Sequence, residues 1–267
     1  MSPRTTIPEL ARRAKAASRL VARSSTDVRN DALLTAADLL QTDEAAVLAA
    51  NEQDLATAKA SGVSPTLLDR LQLTSAKIAG MADGLRQVAT LPDPVGEVLD
   101  GWVRPNGLKI SRVRMPLGVV GIIYEMRPNV TSDAAALCLK SGNAAFLRGS
   151  SAAITSNTAI ESVLRSAYEK VGLPADALLL VPDTTREGAV TFMQQRGFVD
   201  CLIPRGGPAL IQSILDNATV PYVIDGDGNC HVYVDRSADL AMATEIVVNA
   251  KMQRPSVCNA MESMVVH

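Results

Sequence analysis

The sequence predicts an α/β fold: a doubly wound, mostly parallel sheet preceded by an N-terminal helical region. Three observations carry this. The first ninety or so residues place apolar side chains at helical spacing. Val119 to Tyr124 is a continuous β-branched run, as expected of a strand buried on both faces. Downstream of it, short apolar runs alternate with segments of helical length, which implies right-handed crossovers between parallel strands.

Along the chain, Leu10, Ala14, Ala17 and Val21 fall on one face of a first helix that ends before Ser24-Ser25-Thr26. A second helix starts at Asp27 and buries Ala32, Leu33, Ala36 and Leu40. A third starts near Asp43 and stops at Gly62, which suits a left-handed C-terminal cap. Thr74 or Ser75 opens a fourth, which ends before Pro92; Pro92, Pro94 and Gly96 then mark an extended crossing segment. Leu108 to Val113 reads as a strand with imperfect alternation. A short helix from about Ser132 to Leu139, stopped by Gly142, follows the Val119–Tyr124 strand. Next come a strand at Ala144–Leu147 and a long helix from about Ala152 to Val171, closed by Gly172 and Pro174. Leu178–Val181, Cys201–Ile203 and His231–Val234 read as further strands of the sheet, and a helix ends near Lys251.

Composition narrows the function classes. Hydrophobic residues at 47% and charged residues at 20% suit a globular core, and aromatics at 3% make that core aliphatic. A net charge of -2 gives no electrostatic footprint for nucleic acid or an anionic membrane. The longest apolar stretch, Leu117 to Tyr124, is far short of a membrane span. Cys138, Cys201, Cys230 and Cys258 are too widely spaced for a disulfide framework or a zinc site. With His231 and His267 as the two imidazoles, the expected metal count is none.

Ligands of such sheets bind in the strand-to-helix turns at the carboxyl edge: here Glu125–Thr131, Arg148–Ser151, Pro182–Thr185 and Pro204–Gly207. No Gly-x-Gly-x-x-Gly string opens any of them. Gly226-Asp227-Gly228-Asn229 lacks the third glycine and leads into a strand, and there is no phosphate loop ending in Gly-Lys-Ser/Thr. Arg205-Gly206-Gly207 lies before a helix, where backbone N–H groups can meet a phosphate; an ordinary tight turn fits it equally well. Arg148-Gly149-Ser150 has the same form, and Arg148 can pair a phosphate oxygen or simply be solvated. Asn129 can donate to a developing oxyanion or cap the next helix. Cys258, in Arg254-Pro255-Ser256-Val257-Cys258-Asn259, sits in the polar, irregular and basic surroundings that suit a nucleophilic thiol. Cys138 and Cys201 have apolar neighbours and read as core residues, while Cys230 is ambiguous.

Taken together, several stretches resemble a known family. Met115-Pro116-Leu117-Gly118-Val119-Val120-Gly121-Ile122-Ile123 is similar to the strand that leads into the active site of the aldehyde dehydrogenase superfamily. Within it, the γ-glutamyl phosphate reductases (glutamate-5-semialdehyde dehydrogenases) are resembled by Tyr124-Glu125-Met126-Arg127-Pro128-Asn129-Val130-Thr131 and Leu139-Lys140-Ser141-Gly142-Asn143-Ala144. Ile203-Pro204-Arg205-Gly206-Gly207, Gly228-Asn229-Cys230-His231-Val232-Tyr233-Val234-Asp235, Asn249-Ala250-Lys251 and Gln253-Arg254-Pro255-Ser256 match as well. So do Ala50-Asn51, Asp54-Leu55 and Asp69-Arg70-Leu71 near the N-terminus.

The resemblance implies a reaction of proline biosynthesis. Cys258 attacks γ-glutamyl phosphate and expels phosphate, and hydride from NADPH turns the resulting thioacyl group into glutamate-5-semialdehyde. Asn129 and backbone N–H near Cys258 hold the oxyanion. Arg148, with Gly149 and Ser150, meets the adenosine ribose or its phosphate, and Arg205, Gly206 and Gly207 form the pyrophosphate turn. It implies residues 1–250 as the coenzyme-binding domain and 251–267 as the start of a catalytic domain. It further implies a homo-oligomer when full-length, a cytoplasmic location, and glutamate 5-kinase as a candidate partner. Two departures stand out. Hydrolytic relatives carry a water-activating Glu where the best-aligned residue is Ile224, next to Asp225; a reductase discharged by hydride needs none. The chain also stops at His267, nine residues after Cys258, where the family continues, so a C-terminal truncation is expected. Two other readings stay open: an aldehyde dehydrogenase oxidising a different aldehyde with NAD, and a non-catalytic coenzyme-binding module, which the early stop favours.

Overall fold

The computed structural model describes residues 5–224, 228–255 and 257–267, so Asp225, Gly226, Asp227 and Ser256 of the motifs above lie outside the described residues. The chain divides into two compact units, Met1–Val223 and Ile224–His267. The domain boundary expected at residue 250 falls inside the second.

The first unit opens with helices α1 (Ile7–Val21), α2 (Thr26–Thr42), α3 (Glu44–Ala60), α4 (Pro65–Leu71) and α5 (Ser75–Thr90). Hydroxyl caps begin three of them: Thr6, Ser25 and Thr74 accept the backbone N–H of Glu9, Val28 and Lys77. Gly62, at φ +74°, follows α3 as expected. The short α4 has no counterpart in the sequence reading. Its seven residues are too few to show a period, and Pro65 at its first turn is its one local signal. An antiparallel hairpin of β1 (Val98–Val103) and β2 (Lys109–Val113) comes next. The sequence predicted only its second strand, because Asp100 and Gly101 interrupt the apolar pattern of the first.

The main sheet holds β3 (Val119–Tyr124), β4 (Ala144–Arg148), β5 (Leu178–Leu180) and β6 (Cys201–Arg205), all parallel, in the order β5-β4-β3-β6. Helices α6 (Asn129–Lys140), α7 (Ile154–Lys170) and α8 (Arg186–Met193) make the crossovers, and α9 (Pro208–Asn217) follows β6. Alternate strand residues enter two different cores. Val120, Ile122, Ala145 and Leu147 pack with residues of α2, α5, α6 and α7. Val119, Ile123, Ala144 and Phe146 pack with residues of α1, α8 and α9, where the rings of Phe146 and Phe192 stack 4.7 Å apart. Helices on both faces explain why these strands read as unbroken apolar runs.

In the second unit β7 (His231–Val234) pairs in parallel with β8 (Ser263–Val266), and α10 (Leu240–Met252) lies between them in sequence. The sequence assigned His231–Val234 to the main sheet, and the pairing corrects this: β7 takes its partner from its own unit. No helix among the described residues is long and apolar enough to cross a membrane.

Candidate active site

The strand order creates a switch point. The chain winds from β3 outward through β4 to β5, then returns to the far side of β3 for β6. Open parallel sheets bind their ligands in the crevice beside the carboxyl ends of such a strand pair. Here Tyr124 is in register with Arg205, and the Glu125 N–H donates to the Arg205 carbonyl at 3.3 Å. Pro204 and Arg205 are the last residues of β6, so the turn expected at 204–207 contracts to Gly206–Gly207. Proline is tolerated there because β6 ends the strand order. Glu125 then folds over the turn: its Oε1 accepts the Gly207 N–H at 3.1 Å. A Cβ on Gly206 would lie 2.8 Å from that same oxygen, so a side chain there would displace the Glu125 carboxylate.

The other expected coenzyme residues sit at the carboxyl end of β4, beside β3. Arg148 is only 9% exposed; its Nη2 donates to the Thr185 carbonyl at 2.6 Å, and its Nε has no partner among the described residues. Burial pulls the guanidinium pKa down, opposed by the charge of Asp183. Gly149 backs onto Asn157 so closely that a Cβ would collide with the Asn157 amide. Thr131 Oγ1 donates to Asn157 Oδ1 at 3.2 Å and lies 2.7 Å from the Tyr124 hydroxyl, while Asn157 Nδ2 is buried with no hydrogen-bond partner among the described residues. Ser150 Oγ accepts the Ala152 N–H at 3.3 Å.

The starts of α7 and α9 could each offer N–H groups to an anion at this edge, and the structure distinguishes them. The first turn of α7 is already satisfied: Asp54, reaching from α3, accepts the N–H of Thr155 at 3.2 Å and of Ser156 at 2.7 Å. Among the described residues the Gly207–Pro208 start of α9 has no such buried cap, and the Gly207 N–H goes to the exposed Glu125. Glycines where a backbone must be approached, an open helix start and buried donors without partners suit a phosphate-bearing dinucleotide.

Asn129 is the first residue of α6 and does not cap it; its Nδ2 donates to Asp133 Oδ2 at 3.0 Å. Asp133 is solvent-accessible, yet desolvation by the surrounding protein holds its carboxyl above the ordinary range, against the Asn129 bond and the charge of Arg205. Glu125, Asn129 and Arg205 therefore gather at the switch point, while Arg148, Gly149 and Ser150 form its β4 side. Glu125, Asn157 and Asp54 had been given no role from sequence. Glu125 stood in a turn already singled out, but nothing local shows that it reaches Gly207.

The two thiols with apolar neighbours lie in the core, as their surroundings in the sequence predict. Cys138 and Cys201 are buried, and burial pushes the Cys138 thiol up to about 12 and Cys201 upward. Cys230 is partly buried and Cys258 exposed, both in the second unit.

The aldehyde dehydrogenase family matches residues 2–267. A γ-glutamyl phosphate reductase of Geobacillus sp. (strain WCH70) is 52% identical over 251 residues, covering 94% of this chain and 61% of its own. The crystal structure of a γ-glutamyl phosphate reductase from Thermotoga maritima superposes with a TM-score of 0.91 at 42% identity, covering 98% of this chain and 63% of that one. The corresponding structure from Saccharomyces cerevisiae gives a TM-score of 0.75 at 33% identity, covering 97% and 65%. The chain thus spans less than two thirds of the length of these relatives.

Proposed function

The chain belongs to the aldehyde dehydrogenase family, and on that premise we propose that it acts in the NADPH-dependent reduction of L-glutamyl 5-phosphate to L-glutamate 5-semialdehyde and phosphate, in L-proline biosynthesis. Residues 1–250 are the coenzyme-binding domain, and 251–267 open the catalytic domain. The Cys258 sulfur attacks the acyl carbon, and the bond to phosphate breaks to leave a thioester. Asn129, turning from Asp133, steadies the oxygen that becomes negative. NADPH, when bound, supplies the hydride that reduces the thioester. The thiohemiacetal on Cys258 then releases the aldehyde and regenerates the thiol. Arg205, Gly206 and Gly207 form the turn for the coenzyme pyrophosphate, and Arg148 with Gly149 and Ser150 faces its ribose phosphate.

The observation that carries the reductase over a hydrolytic aldehyde dehydrogenase is the pairing of an exposed thiol at Cys258 with Ile224 where hydrolytic relatives have a carboxylate. A thioester with no carboxylate at that position to activate water is discharged by hydride. Supplying glutamate-5-semialdehyde and NADP with and without phosphate tests this. Phosphate-dependent NADPH formation supports the reductase, and phosphate-independent acid formation supports the oxidising enzyme.

Coenzyme binding gives two further tests. Arg148→Ala is expected to weaken NADPH about 10- to 150-fold, the loss of a charge-assisted bond worth about 1.5–3 kcal/mol, and to leave NADH unchanged. If the variant separates the two dissociation constants as well as the parent does, Arg148 does not read the 2′-phosphate. Glu125 places a carboxylate where the pyrophosphate lands, so Glu125→Gln should tighten NADPH by roughly 2- to 5-fold, the scale of one charge at a helix start. A weaker Kd in that variant would mean that Glu125 helps to hold the coenzyme.

A further inference from the structure

The second unit brings two thiol-bearing segments together. Because β7 and β8 are parallel with His231 opposite Ser263, the residues just before each strand run side by side. The Cys230 carbonyl accepts the Glu262 N–H at 2.9 Å and the Ser263 N–H at 3.3 Å, which anchors the residue's backbone. Its sulfur donates to the Cys258 carbonyl oxygen at 3.3 Å. Gly228 presses on the same peptide: a Cβ there would lie 3.5 Å from the Cys258 Cα and collide with its carbonyl oxygen. The Cys230 sulfur therefore lies against the main chain of the very residue that carries the Cys258 sulfur. Cys258 is the exposed member and Cys230 the sheltered one.

We propose that Cys230 is the resolving thiol of Cys258, so that peroxide oxidation of Cys258 ends in a reversible Cys230–Cys258 disulfide. In the first step the Cys258 sulfur attacks the peroxide O–O bond. It is oxidised by two electrons to the sulfenic acid, and the peroxide leaves as water. In the second, the Cys230 sulfur attacks that of Cys258. The S–O bond breaks, and the hydroxide leaves with the Cys230 proton as a second water. A dithiol reductant then restores both thiols by exchange. Without the resolving thiol, a second peroxide carries Cys258 to the sulfinic acid, which a dithiol does not reverse. The biological consequence, a nucleophile that can be parked and recovered, rests on the catalytic role proposed for Cys258. The disulfide itself does not.

The test reads mass, not turnover, so its failure is separate from failure of the catalytic assignment. The chain is treated with hydrogen peroxide, alkylated with N-ethylmaleimide and digested with trypsin without reduction. Trypsin places Cys230 in the peptide 206–236 and Cys258 in 252–267. The parent should yield these two joined by a disulfide and return both to alkylatable thiols with dithiothreitol. Cys230→Ser, and Cys230→Ala as a second variant, should give no joined peptide. In them Cys258 sulfinate should build up on the order of ten-fold faster than in the parent. Cys258→Ser should leave Cys230 alkylatable. Equal sulfinate rates in parent and Cys230 variants would overturn the proposal, as would a Cys230 oxidised in Cys258→Ser.

Discussion

Replacing Cys258 by alanine should lower turnover in the active enzyme by on the order of 10⁴-fold or more, the usual scale for removing a covalent nucleophile. In the proposed mechanism the thiol forms the bond to the acyl group, a place the two core cysteines are too enclosed to take. Cys138 and Cys201 are buried with their thiols held in the neutral form. NADPH affinity should be largely unchanged, because the residues proposed to hold the coenzyme, Arg148 to Ser150 and Arg205 to Gly207, belong to the first unit. Phosphate release from γ-glutamyl phosphate, read beside an NADPH titration, separates the two effects. A variant that keeps substantial turnover would remove Cys258 from the mechanism and make Cys230 the next nucleophile to examine.

The largest effect on stability is expected at Asp54. Its carboxylate is 5% exposed and accepts three hydrogen bonds at the start of α7: from the Thr155 N–H, the Ser156 N–H and, at 2.6 Å, the Ser156 hydroxyl. Asn51, one turn earlier on α3, adds a second tie, donating to Ser156 Oγ at 3.0 Å and to the Leu71 carbonyl at 2.9 Å. Asp54→Ala takes the acceptor from one buried and one part-buried backbone N–H, so it should cost about 2–4 kcal/mol. Asp54→Asn keeps one acceptor oxygen and should lose less. Denaturant midpoints of the three proteins decide the matter. An alanine variant as stable as the parent would mean that the first turn of α7 finds its acceptors elsewhere. Because α7 begins directly behind Arg148–Ser150, weaker NADPH binding should accompany the loss of stability.

Much of the frame was legible because its causes are local. The helical faces of α1 and α2 follow from apolar residues three and four apart, and every residue named for them is buried. The Val119–Tyr124 run declared a strand covered on both sides, and all six residues are buried. Glycine-bearing turns pointed to the carboxyl edge without specifying its wiring. Pairing and reach were not legible, since they join residues far apart in the chain. Nothing near His231 shows that its strand pairs with Ser263–Val266, because four residues carry too little pattern to choose a partner. Glu125 meets Gly207 across 82 positions, and Asp54 caps Thr155 across 101. Periodicity and capping rules act over a few residues, so they determine which face of an element is buried. Which helix start stays open to an anion is decided by carboxylates that only the packed fold delivers: Asp54 closes α7 from a buried position, while α9 is met by the exposed Glu125.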